Sequence, residues 1–473
     1  MVFSSLVFVF LFLVVYLVTY TLVNPRHRNA VLLVSSLVFY AWGGPQYLLV
    51  LVGDTLVSWF FALRVSASKT AASRKLNLVA ASVVLLGVLC VFKYLEWLIG
   101  NFQGLLGYQD IVLGIVLPIG ISFYTFQLIS YVVDVYREEV PAQRSFWKVL
   151  LYSSLFFQCI AGPIVRYETI QDEIDSRKVS KNDIYYGVRR FCIGLAKKAI
   201  LANSCAAVAD TLLPIGEPGI FTQVTTGFWL GMLFYMLEIY LDFSAYSDMA
   251  IGMGRMVGFH FLENFNYPYI SKSVQEFWRR WHISLSSFFR DYVYIPLGGS
   301  RCSTAKYVRN IIIVWFLTGM WHGASWNYIL WGLYFAAFLL LEKFVIKGRM
   351  PAVPAHIYAM VVVFFGWVLF RFENFSEMGF VFGGILGLSG NGFTSLEVQT
   401  LFLQNVFLLA FCIVACTPLG KHLHKKLFAL ANRSNVALMV YSVLEAVTPP
   451  LLLIISVVAL SGLSYNPFIY FQF

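Results

Sequence analysis

Residues 76–99 carry only two charges, Lys93 and Glu96, in a run dominated by Leu, Val and Ala. Runs of this kind recur along the chain, and about 20 apolar residues is the length an α-helix needs to cross a bilayer. None of them alternates apolar and polar residues as a membrane barrel strand does. A backbone in lipid must satisfy its own hydrogen bonds, so the spanning elements are expected to be helices. The charged fraction agrees. It is 12% of 473 residues, with 59% hydrophobic and a mean hydropathy of +0.74, where an average soluble chain carries roughly 25% charged residues.

The net charge of +10, from 34 Lys and Arg against 24 Asp and Glu, would suggest nucleic acid in a soluble protein. Here the basic residues cluster in short loops between apolar runs, the positive-inside pattern of a membrane protein. Nucleic acid is therefore not expected as a partner. The seven cysteines show no C-x-x-C and no Cys/His metal spacing, so no metal is expected. Cys412 and Cys416 share a helix face and are expected in apolar packing. The run 3–23 has no basic leader or small-residue cleavage site, and its positive flank, Arg26-His27-Arg28, follows it. It reads as a retained first helix with its N-terminus outside.

Charge bias along the loops gives about 12 crossings with both termini outside, as one polytopic domain over 1–473. A crossing at 111–136 is expected to kink at Pro118-Ile119-Gly120. The stretch 149–160 is too short to span comfortably and reads as re-entrant. Lys197 and Lys198, near the inner end of the crossing 194–213, are expected to anchor at lipid phosphates. Two acids and two serines, Asp242, Ser244, Ser247 and Asp248, continue an apolar run and should face protein or water. Gly252, Gly254 and Gly258 permit close approach of another helix. The apolar C-terminal segment 465–473 is expected to dock on the chain's own helices.

The chemistry concentrates between Trp278 and Trp331. Residues 276–294 read as one helix closed by Pro296 and Gly298. Helical spacing places Arg279, His282, Ser286 and Arg290 on one face, with Trp278, Trp281, Leu285, Phe288 and Tyr292 on an adjoining face. Such a helix could lie at the headgroups, or its basic strip could hold phosphates such as those of coenzyme A. His322 lies between Gly319 and Gly323 and between Trp321 and Trp326, with apolar sequence on both sides. That places it within the membrane, where an ionisable side chain is costly and usually functional. A helix–helix hydrogen bond is one use. Another is general base, since neutral imidazole can take a proton from an attacking hydroxyl near pH 7. No G-x-S-x-G, Walker loop, H-E-x-x-H or dinucleotide fingerprint competes. His422 and His424 lie in a basic loop and read as solvated.

Several ordered motifs carry a resemblance. They begin with Leu117-Pro118-Ile119-Gly120-Ile121-Ser122-Phe123-Tyr124-Thr125-Phe126-Gln127 and Ala161-Gly162-Pro163-Ile164-Val165-Arg166. Asp242-Phe243-Ser244-Ala245-Tyr246-Ser247-Asp248 follows. Then come Trp278-Arg279-Arg280-Trp281-His282 within 277–299, Gly319-Met320-Trp321-His322-Gly323 within 319–327, and Tyr465-Asn466-Pro467-Phe468-Ile469-Tyr470-Phe471. Together they cover nearly the whole chain. The sequence resembles the membrane-bound O-acyltransferase family, in its bacterial AlgI-like and PatA-like branch of polysaccharide O-acetylation proteins, related to DltB.

The resemblance implies an all-α integral membrane fold, a ring of about 11–13 tilted and re-entrant helices around a central funnel or tunnel, with the core at roughly 110–345. It implies His322 and His282 as the catalytic residues, with His322 as general base and His282 orienting the thioester or helping proton transfer. Trp278, Arg279, Arg280, Trp281, Ser286, Arg290, Trp321, Asn327, Asp242, Ser244 and Asp248 are then expected along the substrate route. Asp242, Ser244 and Asp248 could equally brace helices. The donor implied is cytosolic acetyl-CoA, used as a substrate with no permanently bound cofactor. The acceptor system lies outside a bacterial inner membrane, through an SGNH-type extracytoplasmic acetyltransferase or similar protein. Two other readings stay open: D-alanyl transfer to teichoic acid, and a non-catalytic transporter or scaffold of a polymer-export complex.

Overall fold

The computed structural model describes residues 2–107, 112–160, 162–462 and Phe468. Every regular element among them is helical. Eight helices are long and apolar enough to cross a membrane: Tyr47–Ala67, Ala71–Leu106, Lys181–Leu212, Thr225–Met256, Trp326–Ile346, Ala352–Arg371, Leu396–Ala415 and Asn435–Ser461. Other stretches expected to cross are built on shorter helices, with 14 residues in Arg28–Ala41 and 17 in Ile121–Arg137. The start of the expected crossing at Ile111 and the loop residues 108–110 lie outside the described residues, as do Ala161 and 463–467 and 469–473.

Two compact units share the chain, and neither is contiguous in sequence. The first comprises Met1–Phe191, Met249–Glu263 and Ser287–Val293; the second comprises Cys192–Asp248, Asn264–Ser286 and Tyr294–Phe473.

In the first unit, Ala71–Leu106 opens where the Thr70 hydroxyl accepts the Ser73 N–H, and it closes at Gly107. Leu76, Val83 and Leu105 along it are exposed, which in a chain this apolar marks a lipid-facing side. Ile121–Arg137 is the opposite case, with Phe123, Tyr124, Gln127, Leu128 and Tyr131 all buried, so it is a core helix. It does not kink at Pro118. Residues 112–117 are non-helical and the helix begins at Ile121; Pro118 has no N–H to give, which costs nothing ahead of a helix start, where N–H groups have no internal partners. Phe146–Ser154 is short and buried, tied by its Tyr152 hydroxyl to the Val165 carbonyl at 2.9 Å. Gly252 meets Gly187 so closely that a Cβ on it would lie 2.7 Å from the Gly187 oxygen, the close approach expected there.

The second unit is organised around indoles. Trp278 packs on Trp315, Trp331 and Phe335 at 4.8, 5.4 and 4.9 Å between ring centroids. Trp281 packs on Phe277 and Trp367 at 5.5 and 4.9 Å. The helices Thr304–His322 and Trp326–Leu341 touch backbone to backbone. A Cβ on Gly319 would sit 2.3 Å from the Tyr328 oxygen. Gly319→Leu is expected to force them apart at a cost of ~1–3 kcal/mol or more, read as a lower thermal midpoint in detergent; an unchanged midpoint would show that the contact yields freely.

The structure does not place Lys197 and Lys198 at lipid phosphates. Lys198 is 5% exposed and pairs with Asp242 at 2.5 Å. Lys197 pairs with Asp248 at 2.8 Å. The partners come from Thr225–Met256, which supplies two carboxylates to two ammonium groups. A charge inside a membrane protein persists only when it is paired in this way. Cys412 and Cys416 are buried, with the Cys412 sulfur 3.6 Å from that of Cys205. Of the C-terminal segment only Phe468 is described; it is buried, its ring 5.0 Å from that of Tyr246 and 4.9 Å from the Lys198 ammonium.

Candidate active site

The stretch expected as one helix is broken at its histidine. Val274–Arg280 and Ile283–Phe289 are separate helices, and Arg290–Tyr294 is a π-helical turn. Trp281 is extended, and His282 has φ +43°. That is the left-handed region, costing a non-glycine residue on the order of 1–3 kcal/mol. Neither Gly nor Pro marks the break; contacts from elsewhere hold it. The first helix is capped at its start by the Ser273 hydroxyl and by Glu342, whose carboxylate accepts the Val274 and Gln275 N–H groups at 2.5 and 3.0 Å. Ser286 donates its hydroxyl to the Trp278 carbonyl at 3.1 Å. The second helix is capped from outside by Asn264. Its backbone carbonyl accepts the Ile283 N–H at 2.9 Å, and its side-chain oxygen accepts the Ser284 N–H at 3.1 Å. These are two of the N–H groups that a helix start leaves without internal partners.

The break puts His282 inside. It is 1% exposed, and its ring meets Phe243 edge to face at 4.8 Å. Its Nδ1 lies 3.2 Å from the Asn264 side-chain oxygen, and its Nε2 has no hydrogen-bond partner among the described residues. His282 lies outside the eight spans, and burial pushes its pKa from 6.5 down to about 3. The imidazole is therefore neutral at pH 7. Between those two values the unfolded chain takes up a proton here that the folded chain refuses, so this residue's contribution to stability falls as pH drops. His282→Gln is expected to reduce the acid sensitivity of the melting midpoint between pH about 7 and about 4.5; an unchanged sensitivity would refute the buried neutral ring.

His322 ends Thr304–His322 and is 8% exposed. Trp321, Trp331 and Phe370 surround its ring at 5.0, 4.9 and 5.1 Å, all edge to face. The Trp321 indole also meets the His282 ring at 5.7 Å, so one indole touches both imidazoles. Asn327 anchors the backbone at Phe370, whose ring packs on His322. It is fully buried, and its amide donates to the Leu369 and Phe370 carbonyls at 3.2 Å each, fixing the end of Ala352–Arg371.

Residues 137–381 match the model of the membrane-bound O-acyltransferase family. The chain belongs to that family. It is 39% identical, over the full length of both chains, to a probable alginate O-acetylase AlgI of Azotobacter vinelandii. It is 32% identical to the peptidoglycan O-acetyltransferase of Helicobacter pylori, over 82% of this chain and 80% of that one. The teichoic acid D-alanyltransferase of Bacillus subtilis is 30% identical over 55% of this chain and 69% of its own. The protein is thus a multi-pass membrane O-acyltransferase.

Within this acyltransferase the remaining expected site residues divide. Trp278 and Trp281 are packed in the aromatic core described above. Arg280 is held by Glu276 at 2.9 Å and donates to the Asn266 carbonyl at 3.1 Å. Arg279 is exposed. Asp242 and Asp248 are paired with lysines, and the Ser244 hydroxyl donates to its own helix at Leu241, 3.4 Å away. Arg290 belongs to the first unit and pairs with Asp291, which also receives Arg166 at 2.5 Å. Burial alone would raise the Asp291 carboxyl, but hydrogen bonds from Arg290 and Arg166 outweigh it and hold the carboxyl below the usual range. Asn264 is a further residue at this site, one that no periodicity or spacing in the sequence marks.

Proposed function

We propose that the protein passes an acetyl group from cytosolic acetyl-CoA to an extracytoplasmic polysaccharide O-acetylation system, in the inner membrane of a bacterium. The single observation that carries this reading is the buried pair His282 and His322 against one indole, in a chain that matches alginate O-acetylases from end to end. His322 acts as general base. It takes the proton of the acceptor hydroxyl as the oxygen attacks the thioester carbonyl. The carbon–sulfur bond breaks, and the proton passes from His322 to the departing thiolate. A thioester carries a good leaving group, so positioning and one base supply most of what the step needs.

Arg279, exposed at the end of Val274–Arg280, is the guanidinium best placed to meet a donor phosphate, since Arg280 and Arg290 already face carboxylates. Arg279→Ala is expected to raise the KM for acetyl-CoA several-fold while leaving kcat within about twofold, the mark of lost uniform binding. An unchanged KM would remove Arg279 from the donor site. The acceptor protein is proposed to be an SGNH-type or similar extracytoplasmic acetyltransferase. D-alanyl transfer is the second reading, favoured only by the partial match to teichoic acid D-alanyltransferases. Competition between acetyl-CoA and a D-alanyl thioester in the same purified protein separates the two.

A further inference from the structure

We infer that Asn264 fixes His282 in the tautomer with its proton on Nδ1, leaving Nε2 as a buried hydrogen-bond acceptor for an N–H group of the acyl donor. The inference deepens the proposed function, because it takes His282 to line the acyl-transfer site.

The orientation of the Asn264 amide decides the tautomer. Its side-chain atom nearest His282 also receives the backbone N–H of Ser284 at 3.1 Å. A backbone N–H can only donate, so that atom is the carbonyl oxygen. The other end of the amide donates to the Ser247 hydroxyl oxygen at 3.3 Å, in agreement. An oxygen that can only accept faces Nδ1 at 3.2 Å, so Nδ1 carries the hydrogen. The Ser284 hydroxyl is the other group near Nδ1, at 3.4 Å, but it lies closer to the same Asn264 oxygen, at 2.9 Å, and donates there. Asn264 is itself 1% exposed, and its side-chain amide is held at both ends, by the Ser284 N–H on its oxygen and the Ser247 hydroxyl on its nitrogen, so it is not free to turn.

Nε2 then holds a lone pair. It is buried without a partner among the described residues, and a buried acceptor left unmet is costly. It cannot donate to a thioester oxygen, so His282 is not an oxyanion donor. The acceptor hydroxyl has one proton, and His322 receives it. The group left to meet Nε2 is an amide N–H, and the pantetheine arm of a coenzyme A thioester carries two. Asn264 is thus a positioning residue, acting on the donor through His282.

The test reads the tautomer directly. Ring-nitrogen NMR on protein with 15N-labelled histidine resolves which nitrogen is protonated, and His282→Gln assigns the signal among the seven histidines. Wild type is expected to show Nδ1–H and a bare Nε2. A protonated Nε2 in wild type overturns the inference whatever the activity. Asn264→Ala is expected to mix the tautomers and raise the KM for acetyl-CoA about 10–100-fold, the scale of one buried hydrogen bond lost. Asn264→Asp, which keeps an accepting oxygen, is expected to keep the tautomer and recover most of that loss. Loss of binding in both variants with the tautomer unchanged would also overturn it. If wild type shows Nδ1–H but no acyl transfer occurs with acetyl-CoA, the tautomer assignment stands and the proposed donor falls.

Discussion

His322→Ala is expected to lower O-acetylation of the exported polymer by about 10²–10⁴-fold, the usual contribution of a positioned general base. The ring sits against Trp321, Trp331 and Phe370, so its removal also leaves a small void in an aromatic wall. The void is a stability effect and the lost base is a rate effect, and the two separate experimentally. Expression and the thermal midpoint in detergent are expected to fall modestly, whereas acetyl ester falls to background. His322→Gln keeps most of the volume but has no basic nitrogen, and is expected to be as inactive as the alanine variant. Full acetylation in the glutamine variant would make His322 a packing residue.

Breaking the Lys198–Asp242 pair is expected to be the largest stability effect in the second unit. Both side chains are almost wholly buried at 2.5 Å. Removing one partner of a buried pair strands the other charge and costs ~3–5 kcal/mol. Lys198→Met and Asp242→Leu should each lower the melting midpoint sharply. The double variant should recover much of the loss, because replacing both charges with apolar groups removes the desolvation penalty as well as the attraction. Additive losses in the double variant would show that each residue has separate partners. The Lys197–Asp248 pair is more exposed, at 20% and 15%, and is expected to cost less when broken.

The parts of this molecule that follow local rules were readable from its residues. Apolar runs of spanning length became helices, and Gly252 met a second glycine as its small size implies. His322 stands out in the sequence as an ionisable residue between glycines and tryptophans, and the structure buries it against Trp321, Trp331 and Phe370. What was hidden depends on partners distant in sequence. Lys198 looks like a headgroup anchor until Asp242, on another helix, is brought to it. Residues 276–294 keep helical periodicity throughout, and no breaker warns of the turn at His282. That turn is set by Asn264, Glu342 and Ser286 acting on backbone groups, and the facing of Arg279, His282, Ser286 and Arg290 assumed by an unbroken helix is lost with it. Pro118 misled in the other direction, marking a helix start and not a kink.

The most direct test of the central claim is turnover of acetyl-labelled acetyl-CoA by purified protein in detergent, with its extracytoplasmic acceptor protein present, wild type beside His322→Gln. Label leaving coenzyme A for an acceptor hydroxyl with wild type, and not with the variant, is the result predicted. Acetyl-CoA bound but never turned over, or turned over equally by both proteins, would contradict the assignment of acyl transfer to this histidine.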